Sequence, residues 1–326
     1  MKRTLLNITL MVLLCQGILF LQNGKIVKRK SYDIFKFPEV VKKIAKKEDG
    51  KLILFPEFEY LNHVAIEKIS YLSDGLKVTG FLAYPKGAGK YPCVIYNRGG
   101  NREFGAINPL KVAFVLARVA AWGYVVVSSQ YRGNDGGEGK EAFGGKDVND
   151  VLNLIPLLEN LSNTDTPRIG MYGWSRGGMM TYLSIIRTDR IKAAVVGGGV
   201  SDLFMMKDHR PEMETYVYRE LMPDYDKNKK ALLDARSAVK HADKICKTTP
   251  ILIMHGTADW RVVPQQAIAL ASELLKEKVP FRLVLFEGGD HGLSEHRVEV
   301  NELIKMWLDR YVKNRGKLPD LTPHGK

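Results

Sequence analysis

Three cysteines in 326 residues, Cys15, Cys93 and Cys246, are too few and too scattered for a disulfide framework or a thiolate metal site. No paired metal-ligand spacing occurs anywhere in the chain. No glycine-rich dinucleotide or phosphate-loop pattern precedes a helix in the required context. The chain therefore carries no signature of a cofactor. It has no period of 20–50 residues, which excludes solenoids and propellers. Collagen-like and disordered compositions are excluded too: 45% of the residues are hydrophobic, enough for one large core or two modest ones. Acids are also scarce, 36 against 49 lysines and arginines, a net charge of +13. A nucleic-acid partner would need more than that. Zinc-finger spacing, ribonucleoprotein motifs and basic heptads are all missing.

The excess charge is concentrated. Between Gln22 and Lys51 there are ten lysines or arginines and four acids, which reads as a basic N-terminal arm (25–60), solvated or facing a membrane. Within it Phe37, Val40, Val41 and Ile44 recur at helical spacing and predict a short amphipathic helix from Phe37 to Lys47. Ahead of the arm, residues 1–24 hold a basic start and an apolar run from Leu5 to Leu21, the pattern of a signal peptide or signal anchor. A small-x-small cleavage pattern is missing, and Lys25–Lys30 opposes simple export. The reading is an exported or membrane-anchored protein associated with the membrane through this segment, with cleavage and topology left open.

From residue 61 to 314 the pattern is that of one α/β domain. "HVAIEKISYL" and "LKVTGFLAYP" alternate as strands about Ser73-Asp74-Gly75, a hairpin signal. After Pro92, apolar strand runs ("CVIYN", "YVVVSSQ", "RIGMYGW", "KAAVVGGG", "PILIMHG", "FRLVLFE") alternate with helical stretches. Such alternation predicts a largely parallel sheet with helices on both faces and an antiparallel N-terminal hairpin at its edge. An insertion at about 201–242 predicts a helical cap, and 315–326 a polar tail.

In such sheets reactive groups collect beyond the carboxyl ends of the strands. There the chain places "NRGGN", "QYRGNDGG", "GWSRGG", "HGTADWRV" and "GGDHGL". Gly173-Trp174-Ser175-Arg176-Gly177 fits the nucleophile elbow, a strained strand-to-helix turn that presents a serine. A serine hydroxyl is a weak nucleophile near neutral pH and needs a base, for which His291 is the candidate. The imidazolium needs an orienting carboxylate, for which Asp259 is the candidate. The oxyanion needs donors: the backbone N–H of Arg176, and a second from "NRGGN", where Gly100 or Asn101 supplies an N–H and the Arg98 guanidinium adds charge. Other readings stand beside these. Asp259 fits a cap for the helix near Pro264 or a partner for Arg261, Asp290 is a rival carboxylate, and His291 fits a turn hydrogen bond. His255 reads as a structural hydrogen-bonding residue. "YRGNDGG" fits either packing beneath the site or a simple turn. Phe204, Tyr216, Tyr218 and Tyr225 of the insertion fit either a substrate pocket or core packing.

From about Tyr71 to Tyr311 the chain resembles the catalytic domain of the prolyl oligopeptidase family of serine peptidases, within the α/β-hydrolases. "DGLKVTGFLAYP", "QYRGNDGG", "GWSRGGMMT", "YVYRELM", "SAVKHADKI", "PILIMHGTADWRV" and "GGDHGL" carry the likeness. The resemblance implies nucleophile, acid and base at Ser175, Asp259 and His291, and no cofactor. Two departures stand out. Arg98-Gly99-Gly100 occupies a position where many members carry a histidine or tyrosine, whose hydroxyl in some relatives helps to form the oxyanion hole. About seventy residues precede "YLSDG", too few for a β-propeller. Peptide-length and amine selection therefore do not carry over. The expected substrate is a small peptide or an acyl ester, cleaved through an acyl-serine intermediate. The readings are a peptidase, a carboxylesterase, or a membrane-tethered interaction protein that kept the fold without turnover.

Overall fold

Strands rich in valine and isoleucine, each followed by a helix, bury both of their faces. In the computed structural model, which describes residues 22–325, they form one sheet of nine strands. Eleven strands occur among these residues: β1 (Ile26–Ser31), β2 (Ala45–Glu48), β3 (Lys51–Leu54), β4 (Val64–Ser73), β5 (Leu76–Pro85), β6 (Tyr91–Asn97), β7 (Val125–Ser129), β8 (Thr164–Trp174), β9 (Ile191–Gly197), β10 (Ile251–Gly256) and β11 (Phe281–Phe286). The order in the large sheet is β1-β4-β5-β7-β6-β8-β9-β10-β11. From β7 to β11 every pairing is parallel, while β1, β4 and β5 join by antiparallel pairing. This is an α/β-hydrolase sheet.

Side-chain alternation divides the interior in two. Along β6, Cys93 and Ile95 enter one core while Val94 and Tyr96 enter the other. Burial of each such aliphatic side chain contributes about 1.5–3 kcal/mol. The first core is covered by α2 (Arg176–Ile185), the insertion helices α3 (Leu203–His209) and α4 (Tyr225–Asp234), and α5 (Gln265–Lys276). The second is covered by the helical stretch from Pro109 to Ala121, by α6 (Arg297–Leu308) and by α1 (Pro38–Ile44) of the basic arm.

The basic arm holds more than one helix. Helix α1 ends at Ile44, earlier than the lysine-rich spacing predicts, because Ala45–Glu48 turns into a two-stranded hairpin with Lys51–Leu54. Upstream, β1 pairs antiparallel with β4, from Ile26↔Tyr71 to Ser31↔Glu67. The sheet edge is thus β1 and not the β4–β5 hairpin. That hairpin turns at Asp74-Gly75, both at positive φ. No helix among the described residues is long and apolar enough to cross a membrane. The apolar run Leu5–Leu21 lies outside the described residues.

Candidate active site

Ser175 follows β8 and precedes α2 with φ 60° and ψ −125°, a region that residues with a side chain rarely enter. Such strain costs on the order of 1–3 kcal/mol. It is held by backbone bonds: Ser175 N–H donates to Gly197 O (2.9 Å), and Gly178 N–H donates to Ser175 O (2.9 Å). The two motif glycines are required by close approach. A Cβ on Gly177 would stand 2.0 Å from Asn97 O, and one on Gly173 would stand 2.1 Å from Gly177 O. The turn therefore packs against the end of β6, and Arg176 takes the first helical position, where its N–H has no intrahelical acceptor.

Asp259 and His291 lie in the loops after β10 and β11. His291 Nδ1 donates to Asp259 Oδ2 over 2.7 Å, and the carboxylate is fully buried. Asp259 Oδ1 accepts the backbone N–H groups of Arg261 (2.9 Å) and Val262 (3.0 Å). Two of the sequence readings of Asp259 thus coexist, a partner for Arg261 on one oxygen and a histidine partner on the other, whereas the helix after Pro264 takes no side-chain cap from it. The partnership with Arg261 is through its backbone. Burial alone would push the Asp259 carboxyl up. Hydrogen bonds from His255 and His291, with the nearby imidazole charge and the Val262 N–H, outweigh it and hold the group well below the usual carboxylate range. His255 is buried; its Nε2 donates to Val262 O (2.7 Å) and lies 3.3 Å from Asp259 Oδ2. The rival carboxylate Asp290 is turned to its own loop, accepting the N–H groups of Gly292 and Ser294.

Ser175 and His291 line one cavity of about 290 Å³, together with Gly100, Asn101 and Arg176. No hydrogen bond joins the serine hydroxyl to the imidazole in this structure. Ligand-free sites are commonly looser than their reacting complexes. Phe143, Val200, Met206, Val217 and Val262 give the cavity an apolar lining, and the exposed aromatics Phe104, Tyr216 and Trp260 stand along it. Met206, Met213, Tyr216 and Val217 of the insertion stand along the cavity. Of its aromatics, Tyr216 lines the cavity, whereas Tyr218 and Tyr225 are core residues and Phe204 packs against the core.

The expected charge from Arg98 is corrected by its position. Its guanidinium is wholly buried and turned away from the cavity, donating to the carbonyls of Gln130 (3.0 and 3.1 Å), Arg102 (2.9 Å), Gly99 (3.4 Å) and Phe104 (3.4 Å). Carbonyl oxygens saturate its donors, so it shapes the Gly99–Phe104 loop and has no N–H left for an oxyanion. Gly100 and Asn101 of that loop remain at the cavity wall.

Three features escaped the sequence reading. The Arg176 side chain is a buried cross-link. It pairs with Glu141 (2.7 Å) and Asp147 (2.6 Å) and donates to Gly100 O (2.9 Å). Burial would raise the Glu141 carboxyl, but Arg176 and the Arg102 N–H hold it below its ordinary value. The second is Tyr131 of "YRGNDGG", whose ring lies against both Arg98 and Arg176 while its hydroxyl donates to Arg98 O. Packing of that segment beneath the site is one of its two sequence readings; the contacts of Tyr131 lie outside them. The third is the Trp174 indole, whose Nε1–H donates to His291 O over 2.7 Å. Only the side-chain type, aromatic with a polar edge, hinted at such a role.

The sequence matches the prolyl oligopeptidase family over residues 111–315. Among curated proteins it is similar to the uncharacterized peptidase YtmA of Bacillus subtilis (strain 168), with 32% identity over 254 residues, 78% of this chain and 95% of that protein. It is 31% identical to the uncharacterized peptidase YuxL of the same organism over 76% of this chain but only 39% of YuxL. Among solved structures it resembles the Pyrococcus horikoshii acylaminoacyl peptidase, with a TM-score of 0.68 and 22% identity over 83% of this chain and 47% of that one. The chain thus spans nearly all of YtmA and less than half of these larger proteins. Taken with the elbow and the strand-end loops, the match establishes a serine hydrolase: the chain belongs to the prolyl oligopeptidase family of serine peptidases.

Proposed function

We propose that Ser175 is the nucleophile of a peptidase acting on short peptides. His291 takes its proton as the bond to the scissile carbonyl forms, then returns it to the leaving amine. Asp259 steadies the imidazolium, and water hydrolyses the acyl-serine by the same route. The Arg176 N–H and an N–H from Gly100 or Asn101 receive the oxyanion. The observation that carries this reading is the buried 2.7 Å His291–Asp259 bond behind the cavity that the strained Ser175 also lines. Serine is then the group being activated, and among the described residues that line the cavity Ser175 alone carries an aliphatic hydroxyl or a thiol. The peptide-bond preference rests on the family and on relatives named as peptidases.

A fluorophosphonate probe tests the nucleophile: wild type is expected to label and Ser175→Ala is not. A folded wild type that stays unlabelled would support the non-catalytic interaction protein instead. A panel of aminoacyl amides and short acyl esters tests the bond; turnover confined to esters would make the protein a carboxylesterase. We also propose that residues 1–21 hold the enzyme at a membrane, as their apolar sequence suggests.

A further inference from the structure

The most exposed aromatic side chains among the described residues are Phe104, Tyr216 and Trp260, at 65, 69 and 63%. They come from three separate segments, the loop after β6, the insertion and the loop after β10, yet all stand on the rim of the cavity that Ser175 lines. Singly exposed aromatics are ordinary; three that converge on one rim mark an interaction surface. Arginines flank them. The Arg261 guanidinium lies over both Phe104 (5.8 Å) and Trp260 (5.4 Å), and Arg210 lies over Trp260 (5.4 Å). Arg102 donates to Tyr216 O (2.8 Å). Glu220 and Glu212 partner Arg102 and Arg210, while Arg261 forms no ion pair among the described residues. Rings with arginines beside them suit the level of lipid headgroups, where an aromatic body meets apolar chains and a guanidinium meets phosphate.

The course of the chain decides which edge of the sheet would meet a bilayer. Residues 1–21, with their apolar run Leu5–Leu21, join the fold at Gln22. Gly24 N–H donates to Leu72 O (2.8 Å) and Asp74 N–H donates to Asn23 Oδ1 (2.9 Å), so the entry lies at the β4–β5 turn. Strand β5 runs antiparallel to β7, with Gly80 beside Ser129 at the end of β7. That turn therefore projects from the carboxyl edge of the parallel strands, the edge that carries Ser175. From β1 to β8 there are five strand spacings, about 24 Å along that edge. In the loops that follow β6, β7 and β10, the exposed or half-buried charges without an ion pair are Lys140, Lys146 and Arg261 against Glu103.

We propose that this aromatic rim rests on an anionic lipid bilayer, so that the cavity opens onto the membrane surface. The inference rests on the reading that residues 1–21 hold the enzyme at a membrane. Two observations favour a bilayer over a protein partner. The apolar run enters at the carboxyl edge, which brings this face of the molecule to lipid and turns the opposite one away. The unpaired charges beside the rings are mostly cations, which suits phosphate. By itself so small a patch would bind a membrane only marginally, and the N-terminal segment keeps it there. Peptides adsorbed to the bilayer, with an apolar side chain in the headgroup layer, would then reach Ser175 without passing through open solvent. The substrate class that fits is the amphipathic peptide lying on lipid.

Tryptophan fluorescence of the full chain, reconstituted in vesicles of phosphatidylcholine and phosphatidylglycerol, tests this. Of the four tryptophans only Trp260 is exposed. Brominated acyl chains should quench part of the emission, and Trp260→Phe should remove that loss with the melting temperature nearly unchanged. Two further variants report which face is turned to the lipid. In the Trp260→Phe background, Tyr216→Trp should restore the quenching, whereas Phe35→Trp, beyond the far end of β1, should not. Quenching should also weaken when phosphatidylglycerol is left out; equal quenching without it would overturn the preference for anionic lipid. A protein that floats with the vesicles on a density gradient, yet shows no quenching at position 260 or 216, would overturn the proposal and leave the anchor standing. So would quenching at position 35 alone. A protein that does not float would overturn the anchor and this inference together.

Discussion

The indole N–H of Trp174 donates to the backbone carbonyl of His291, 117 residues away, over 2.7 Å. The residue just before the proposed nucleophile thus grips the loop of the proposed base. The ring has little freedom, because Gly197 leaves room for it: a Cβ there would stand 2.2 Å from the indole. Trp174→Phe keeps most of the ring and removes the donor. One hydrogen bond contributes about 0.5–1.5 kcal/mol, so kcat should fall by roughly two- to tenfold. KM should stay within about twofold, and the fluorophosphonate labelling rate should fall with kcat. Steady-state kinetics beside a melting curve checks it, and a loss of stability with kcat unchanged would count against a positioning role.

Asp259→Asn should lower kcat by about four orders of magnitude, because an amide can hold the imidazole in the wrong tautomer. It should also change how stability follows pH. The wild-type carboxylate is held below its ordinary value, so its contribution is complete above the unfolded value of about 3.8 and is lost as pH falls through the lower folded value. The stability gap between wild type and variant should be widest near neutrality and should close in acid. Urea unfolding at a series of pH values measures it.

Arg176→Met should destabilise strongly without touching the backbone N–H assigned to the oxyanion. Glu141 and Asp147 would be left buried beside an uncharged side chain, a loss of about 3–5 kcal/mol. Calorimetry should show a lowered melting temperature, and Arg176→Lys should recover only part of it because a lysine cannot reproduce the forked geometry.

Ser175→Gly should abolish labelling and at the same time raise the melting temperature. Glycine adopts φ 60°, ψ −125° without the strain of a side chain, and the relief exceeds its own entropic cost of roughly 0.5–1 kcal/mol. A net gain near 1 kcal/mol corresponds to about 2 °C in a domain of this size. An unchanged or lower melting temperature would mean that the backbone at this turn stores little strain.

Removal of residues 1–21 should move the protein from the membrane fraction to the soluble fraction while labelling at Ser175 persists. Fractionation followed by probe labelling of both pools checks it.

The sheet was legible because its strands are apolar runs set between helical periods, and the three strand-end loops bearing Ser175, Asp259 and His291 follow from that order. β1 was not, because an edge strand exposed along nearly its whole length shows no hydrophobic alternation, and its lysines read as a charge run. The direction of the Arg98 side chain was illegible for another reason. Four carbonyls converge on it from the loop it closes and from Gln130, and no local pattern announces them. The grip of Trp174 on His291 and the pairing of Arg176 with Glu141 and Asp147 likewise join residues far apart in the chain. What local spacing cannot encode, tertiary packing decided.

Arg176 also ties together the two walls assigned to the oxyanion. Its backbone starts the helix behind the serine, while its side chain holds Gly100 O and the same Glu141 that accepts the Arg102 N–H. Both walls that would meet a developing negative charge are therefore fastened to one residue in the ligand-free fold. Their dipoles stand in place before any substrate arrives, so little reorganisation remains for the reaction step. Because the fastening ions are shielded from water, added salt should loosen this arrangement far less than it would a surface pair.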